Sequence, residues 1–309
     1  MFNSLINRFK NFFKKKFDKN LILNGEAYFK IARKDYDSVK NLRDVEFKVY
    51  SQNGEDGIID YLIYALSIKK LRFVEIGVGD FTECNTRFLI NNYPFRGLLC
   101  DINSKLKDNV KYTYDAHRGS IKVFNNYVNS SNILEILKSN NFHKKLNLFS
   151  IDIDSMDYYV IEKLPNEISD IFIAEYNQNF GPNLEVTVPH LDQFDRHKYH
   201  YSGQCYGLSL RALINLMKKK GYVFLGCNVE CCNAFFILES KKDLIKLSLP
   251  DENDLTSYFN DYVCDMRDKD GNILNISIDE RLEYIKDCNV IDLSNDNMKV
   301  KKISDLIIK

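Results

Sequence analysis

The sequence contains no tryptophan, although it has 19 Tyr and 21 Phe. Aromatic packing therefore falls to phenylalanine and tyrosine, and the abundance of Asn, Lys, Ile and Asp has the character of AT-rich coding. No apolar run is long enough to span a bilayer or to serve as a secretory h-region. A chain that stays in a reducing cytoplasm is therefore expected. Neither charge sign is in excess, since Lys+Arg and Asp+Glu both total 43. That balance gives no overall preference for a polyanion. Outside the first twenty residues there is no basic patch, and no Asn-Pro-Pro-Tyr base pocket occurs, so nucleic acid is not expected as a partner. No C-x-x-C pair occurs among Cys84, Cys100, Cys205, Cys227, Cys231, Cys232, Cys264 and Cys288. The cluster Cys227-Asn228-Val229-Glu230-Cys231-Cys232 thus lacks zinc-ligand spacing, and buried strand thiols are the simpler reading.

What is present is concentrated in residues 71–101. An apolar run ends in Glu75-Ile76-Gly77-Val78-Gly79-Asp80. A helix-like stretch follows, and then a second apolar run, Leu98-Leu99-Cys100, stops on Asp101. Strand, glycine turn, helix and acid-tipped strand together build a nucleoside crevice at the carboxyl ends of parallel strands. Gly77 and Gly79 remove side chains where backbone must approach a ligand. Asp101 lies 24 residues after Gly77, near the spacing at which an acid meets ribose hydroxyls. The third glycine of a dinucleotide fingerprint is missing, because Thr82 holds that position. Glu75 and Asp80 would repel a pyrophosphate, and they suit a ligand carrying an ammonium or sulfonium charge.

The remaining chain supports one mostly parallel domain with additions at both ends. Phe2, Leu5, Ile6, Phe9, Phe12, Phe13 and Phe17 recur at helical spacing among Arg8, Lys10, Lys14, Lys15, Lys16 and Lys19. Such a helix lies on an anionic membrane surface, or packs on its own domain or on a second subunit. Ser51 or Asn53 caps a helix whose first turn carries Glu55 and Asp56. Residues 147–154 and 170–177 read as buried parallel strands. They end in Asp152 and Asp154, and in Glu175 and Asn177, which should converge with Asp101 at one rim of the sheet. The irregular stretch after Asn177 holds His190, His197 and His200 and many aromatics, as a substrate lid does. A helix over 205–220 and two strands, 222–227 and 233–238, complete the pattern, the strands forming an antiparallel edge pair.

These pieces carry a family resemblance. Ser51-Gln52 with Gly54-Glu55-Asp56, Phe73 to Asp80, Asn85-Thr86, Arg96-Gly97, Ser150 to Asp154 with Asp157-Tyr158, Glu175-Tyr176-Asn177, Gly181-Pro182, Thr187-Val188-Pro189, Tyr206-Gly207 with Ser209-Leu210, Lys220-Gly221-Tyr222 and Asn233 to Phe236 appear in that order. Over roughly residues 47–238 the chain resembles FkbM-type methyltransferases of bacterial surface-glycan gene clusters. The resemblance implies a Rossmann-like class I methyltransferase fold: a mostly parallel seven-stranded sheet with the antiparallel edge pair. It also implies S-adenosylmethionine as cofactor. The divisions are then a basic amphipathic helix and connector over 1–46, a methyltransferase-like domain over 47–239, and a C-terminal extension over 240–309. Family members commonly place a third glycine after Gly-Asp, where this chain has Phe81.

The resemblance places Gln52, Glu55, Glu75, Gly77 and Gly79 around the methionine end of the cofactor and Asp101 on its ribose, with 124–129 at the adenine. An acceptor hydroxyl needs its proton removed. Asp152, Asp154 and His190 are the catalytic candidates. Asp152-x-Asp154-x-x-Asp157-Tyr158 is also similar to a segment of metal-dependent caffeoyl-CoA-type O-methyltransferases, which implies Asp152, Glu175 and Asn177 as ligands of Mg2+. The expected activity is O-methylation of a capsule or lipopolysaccharide sugar or its precursor. The helix of residues 1–20 would make the peripheral contact with the inner face of the membrane, and the chain could form a homo-oligomer. Two alternatives stay open: a degenerate binding protein, motivated by Phe81, and a methyltransferase for a small phosphorus- or nitrogen-containing metabolite.

Overall fold

A computed structural model describes residues 20–111, 113, 117–260, 266–295 and 298–307. The amphipathic segment over 1–19 lies outside the described residues. Within them the chain opens on a helix over 20–32 (α1) and a 3-10 turn, Leu42–Val45. Helix α2 (Glu55–Ala65) leads into strand β1 (Leu71–Ile76). There follow α3 (Leu89–Asn92), β2 (Phe95–Cys100), α4 (Leu106–Val110) and β3 (Gly119–Phe124). The second half runs α5 (Ile133–Ser139), β4 (Leu146–Ile151), α6 (Asp157–Lys163) and β5 (Ser169–Glu175). After a short strand β6 (Val186–Thr187) and α7 (Arg196–Tyr199) come α8 (Leu210–Lys219), β7 (Tyr222–Cys227) and β8 (Asn233–Leu238). The extension adds α9 (Ile278–Ile285), β9 (Asn289–Asp292) and β10 (Lys299–Lys302).

The seven-stranded sheet has the order β3-β2-β1-β4-β5-β8-β7. Strands β1 to β5 are mutually parallel, and β8 runs antiparallel to both β5 and β7. The central strands are apolar on both faces because both faces are covered. One core joins Val74, Ile76 and Phe149 to α5, α6 and α8. The other joins Phe73, Leu99 and Leu148 to α2, α3 and α4. Among the described residues no helix is long and apolar enough to cross a membrane.

Local chemistry explains where the elements depart from expectation. After the glycine turn the helix is only four residues long. Its expected start is drawn away instead: Thr82 N donates to Asp80 Oδ1, and Asn85 N and Thr86 N donate to Glu75. Polar groups bound elsewhere cannot continue a helical ladder. Helix α8 begins at Leu210 rather than 205, because Ser209 Oγ caps Ala212 N and Leu208 bridges to Thr187. At the start of α2 neither Ser51 nor Asn53 holds the N-cap position, which is Gly54 at φ +98°; Ser51 Oγ reaches in from the preceding turn and accepts from Asp56 N at 3.0 Å. Asp56 Oδ2 in return accepts from the backbone N–H groups of Val49, Tyr50 and Ser51 at 2.7, 2.7 and 2.9 Å.

The C-terminal extension is built into the rest. β9 pairs with β6 and with β10, giving a second, three-stranded sheet. Its core mixes Ile285, Val290 and Ile303 with Met156, Phe180 and Val188. Residues 240–309 therefore share a sheet and an apolar cluster with the segment that follows β5.

Glu75 is 3% exposed, and both its oxygens are taken by residues 85 and 86. Burial outweighs those donors and pushes its carboxyl from 4.5 up to about 7. A carboxyl that binds its proton more tightly folded than unfolded stabilises the fold while protonated, and that contribution fades as pH rises through the folded value. Asp56, raised from 3.8 to about 6 by burial, acts in the same direction. Urea unfolding should therefore show lower stability at pH 8 than at pH 5, with Glu75 alone contributing at most about 3 kcal/mol. The Glu75→Gln variant should be less stable overall but show a flatter pH dependence; an unchanged slope contradicts this account.

Candidate active site

Between β1 and β4 the strand order changes direction, and such a switch point opens a crevice beyond the carboxyl ends of the strands. A cavity of about 350 Å³ lies there. Ile76 ends β1, with Gly77 and Gly79 in the turn after it, and Cys100 ends β2, followed by Asp101 and Ile102. Asn126 to Val128 follow β3, and Asp152 to Ser155 follow β4. A larger cavity of about 530 Å³ opens at the other end of the sheet, near Lys69 and Pro94, where strands begin. Its one lining acid, Asp37, is paired with Lys246, so it offers no comparable chemistry.

The two glycines have different reasons. Gly77 takes φ +87°, and a Cβ there would stand 1.5 Å from the Asp152 carbonyl oxygen. Gly79 takes φ +56°, and its Cβ would meet nothing within 4 Å, so this bare backbone faces open space. Phe81 also takes a left-handed φ, +67°, at the position where glycine is usual in the resembled family. Its side chain is 1% exposed in the core, and that burial offsets a backbone cost of about 1–2 kcal/mol. The turn is thus formed without the third glycine.

Asp101 stands at the mouth. Its Oδ2 accepts from Gly79 N and its Oδ1 from Asn103 N, both at 2.7 Å. Ile102 beside it is 69% exposed although it lines the cavity, so its apolar surface is open to a ligand there. The Tyr127 hydroxyl is buried in the same cavity without a partner. These three features fit an adenosine: hydroxyls for Asp101, a ring for Ile102, a polar edge for Tyr127.

A second cavity, also about 350 Å³, adjoins the first and shares Asp152 and Asp154 with it. Glu175, Asn177, Asn179, Arg196, Tyr206 and Asn233 are among its walls, with Gln52 at one side. Asp152, Asp154 and Glu175 bring one carboxylate oxygen each within 4.8 Å of one another. Burial, then Asp154 and Asp157, push Asp152 up to about 8. Glu175 is likewise held well above its ordinary value, by burial and by Asp152. Two facing buried carboxyls of this kind share a proton. Tyr206 Oη donates to Glu175 Oε1 at 3.3 Å, and Arg196 holds Asp154 at 3.1 Å. Asp157 faces away from the cavity: it accepts from Ile153 N and Ser155 N and shapes the loop that carries the other two acids.

The structure therefore gathers Asp101, Asp152, Asp154 and Glu175 along one rim. Gly77 and Gly79 stand with them, and Gln52 reaches the second cavity. Other residues singled out from the sequence have different surroundings. Glu75 lines neither cavity. Glu55 is fully buried behind the second one, accepting from Asn53 N, Asn228 Nδ2 and Asn233 Nδ2. Asn177 lines the second cavity, but its Oδ1 accepts from Asn179 N and its Nδ2 donates to the carbonyls of Gln204 and Tyr206. An oxygen-seeking cation such as Mg2+ would find its donors in Asp152, Asp154 and Glu175. His190 is exposed, with its ring edge-on to Tyr159 and its Nε2 3.3 Å from Ser130 Oγ; it lines neither cavity. Arg196, Tyr206 and Arg281 were not legible as site residues, because the loop after β5 and the extension bring them in over long sequence distances.

The strand order and the crevice define the fold of class I, S-adenosylmethionine-dependent methyltransferases. No protein-family profile matches the chain. No curated protein matches it. Among solved structures it is similar to a protein provisionally named an O-methyltransferase from Klebsiella pneumoniae, at 11% identity and a TM-score of 0.37, over 68% of this chain and 89% of that one. It is similar to the CcbJ methyltransferase from Streptomyces caelestis at 10% identity and a TM-score of 0.36, over 64% and 96% of the two chains. The cyclopropane synthase MmaA2 from Mycobacterium tuberculosis is similar at 10% identity and a TM-score of 0.35, over 63% and 75%.

The glycine geometry gives a direct contrast. Gly77→Ala should cost on the order of 3 kcal/mol, because β1 and β4 must separate to admit the methyl group. Gly79→Ala carries only the backbone penalty, about 1 kcal/mol. Urea denaturation of both variants measures the difference; equal losses contradict the close approach at Gly77.

Proposed function

We propose that the chain is an S-adenosylmethionine-dependent O-methyltransferase whose acceptor is a hydroxyl of a bacterial surface glycan or of its precursor. One observation carries the reading: the two cavities meet at Asp152 and Asp154. A donor on the glycine side and an acceptor on the Glu175 side then face each other across one carboxylate. The glycan class rests on the resemblance of residues 47–238. When bound, S-adenosylmethionine would supply a methyl group on an electrophilic sulfonium.

The chain's own residues supply position and proton transfer. Asp101 and Gly79 hold the nucleoside, while Ile102 and Tyr127 take the base. Asp152 accepts the proton of the acceptor hydroxyl, and its affinity near neutrality suits that task. Glu175 keeps its own proton and, by donating to Asp152, leaves Asp152 as the base. Alignment of the two ligands does much of the remaining work.

A second reading has its own support in the three clustered carboxylates. Asp152, Asp154 and Glu175 would then hold a divalent cation that lowers the acceptor's pKa. Titration calorimetry with S-adenosylhomocysteine and a labelled-methyl assay on purified glycan fractions separate the possibilities. Asp101→Ala should weaken S-adenosylhomocysteine about tenfold or more. Asp152→Asn should keep that affinity and lower turnover roughly 10²- to 10⁴-fold. Turnover that survives EDTA supports the carboxylate base, and loss restored by Mg2+ supports the cation. Absence of any S-adenosylhomocysteine binding contradicts both and favours a binding module of another specificity.

A further inference from the structure

The second cavity contains two anomalies. Asn179 Oδ1 and Asn233 Oδ1 are buried in side chains 4% and 5% exposed, and neither accepts a hydrogen bond among the described residues. Both residues line the cavity that ends at Asp152 and Glu175. A buried amide oxygen without a donor costs roughly 1–3 kcal/mol, so such groups are rare unless something binds there.

The orientation of Asn233 is fixed from behind. Asn233 Nδ2 donates to Glu55 Oε1 at 2.8 Å. Glu55 also accepts from Asn228 Nδ2 at 3.1 Å and from Asn53 N at 2.7 Å. A carboxylate accepts only, so the amide end facing it must be the NH₂ group and the oxygen must point away. Asn179 Nδ2 donates to Gln204 Oε1 at 2.9 Å, which leaves its Oδ1 as the atom without a donor. With the carboxylate of Asp152, the two amide oxygens make a stretch of wall that accepts hydrogen bonds. Its complement is a ligand rich in donors. Arg196 and Arg281 line the same cavity, so its wall also carries donors, which suits a ligand that both donates and accepts better than an ammonium, which only donates. Neutral vicinal hydroxyls satisfy both conditions.

We infer that Asn179 and Asn233 are specificity-determining residues that read hydroxyls neighbouring the one to be methylated. The inference rests on the proposed transferase reading and adds the groups that select a polyhydroxylated ring. The natural acceptor belongs to the class of pyranose sugars or their close polyol relatives.

The test uses the full chain saturated with S-adenosylhomocysteine and saturation-transfer NMR. The probes are methyl glucopyranoside, galactopyranoside and mannopyranoside, with tetrahydropyran-2-methanol as the ring stripped of vicinal hydroxyls. At least one pyranoside should receive saturation and the stripped ring should not. Asn179→Ala and Asn233→Ala should weaken the responding pyranoside at least about tenfold, because a site built to bond a hydroxyl loses most when the bond is lost. Both variants should keep wild-type affinity for S-adenosylhomocysteine, which shows that they fold. Pyranoside binding unaffected by both substitutions overturns the inference. So does equal response of the stripped ring, or no pyranoside response in a protein that binds S-adenosylhomocysteine. Failure to bind S-adenosylhomocysteine at all removes the parent reading instead, and this one falls with it.

Discussion

The close approach of Gly77 to the backbone of Asp152 is the constraint on which the site depends. Asp152 N donates to the Ile76 carbonyl at 3.0 Å, and Gly77 N donates to the Cys100 carbonyl at 2.9 Å. The sheet is thereby extended one residue past the ends of β1, β2 and β4. No side chain fits at Gly77, so the glycine turn and the carboxylate loop are forced into contact. That contact sets Asp152 between two cavities rather than at the edge of one. Chemistry at this position follows from backbone packing at the sheet's switch point.

A second theme is the use of buried acids as internal staples. Asp56 gathers three backbone N–H groups of the turn before α2. Glu75 gathers the turn at residues 85 and 86, and Asp157 gathers the loop at 153 and 155. Glu55 gathers two asparagine amides and the Asn53 N–H. Each sits where loops meet the carboxyl edge of the sheet, so irregular backbone is held without regular secondary structure. Asp56, Glu75 and Asp157 are buried, and that burial raises their proton affinity.

Much of the frame was legible in the sequence for a simple reason. Parallel strands buried on both faces read as apolar runs, and β1, β2, β4 and β5 each end on or beside the acid or glycine that marks the rim. Legibility fails where partners are distant. Glu75 looks like a ligand group by its place before the glycines, yet a strand residue alternates faces, and this one turns to the 85–86 loop. Asn177 looks like a metal ligand by analogy, yet its amide fastens the 204–206 segment. Nothing local announces that α9 carries Arg281 to the second cavity, because β9 must first pair with β6 about a hundred residues earlier. Asn233 belonged to a recognisable motif, but its unpaired buried oxygen follows from Glu55, which only the fold brings near.

The account stands or falls on where a nucleoside sits. A crystal structure of the full chain with S-adenosylhomocysteine tests it most directly. The expected ligand places its ribose on Asp101, its base against Ile102, and its sulfur toward Asp152 with the Glu175–Asn233 cavity open beyond. A ligand whose sulfur points away from Asp152, or one seated outside the Gly77–Asp101 crevice, contradicts the account.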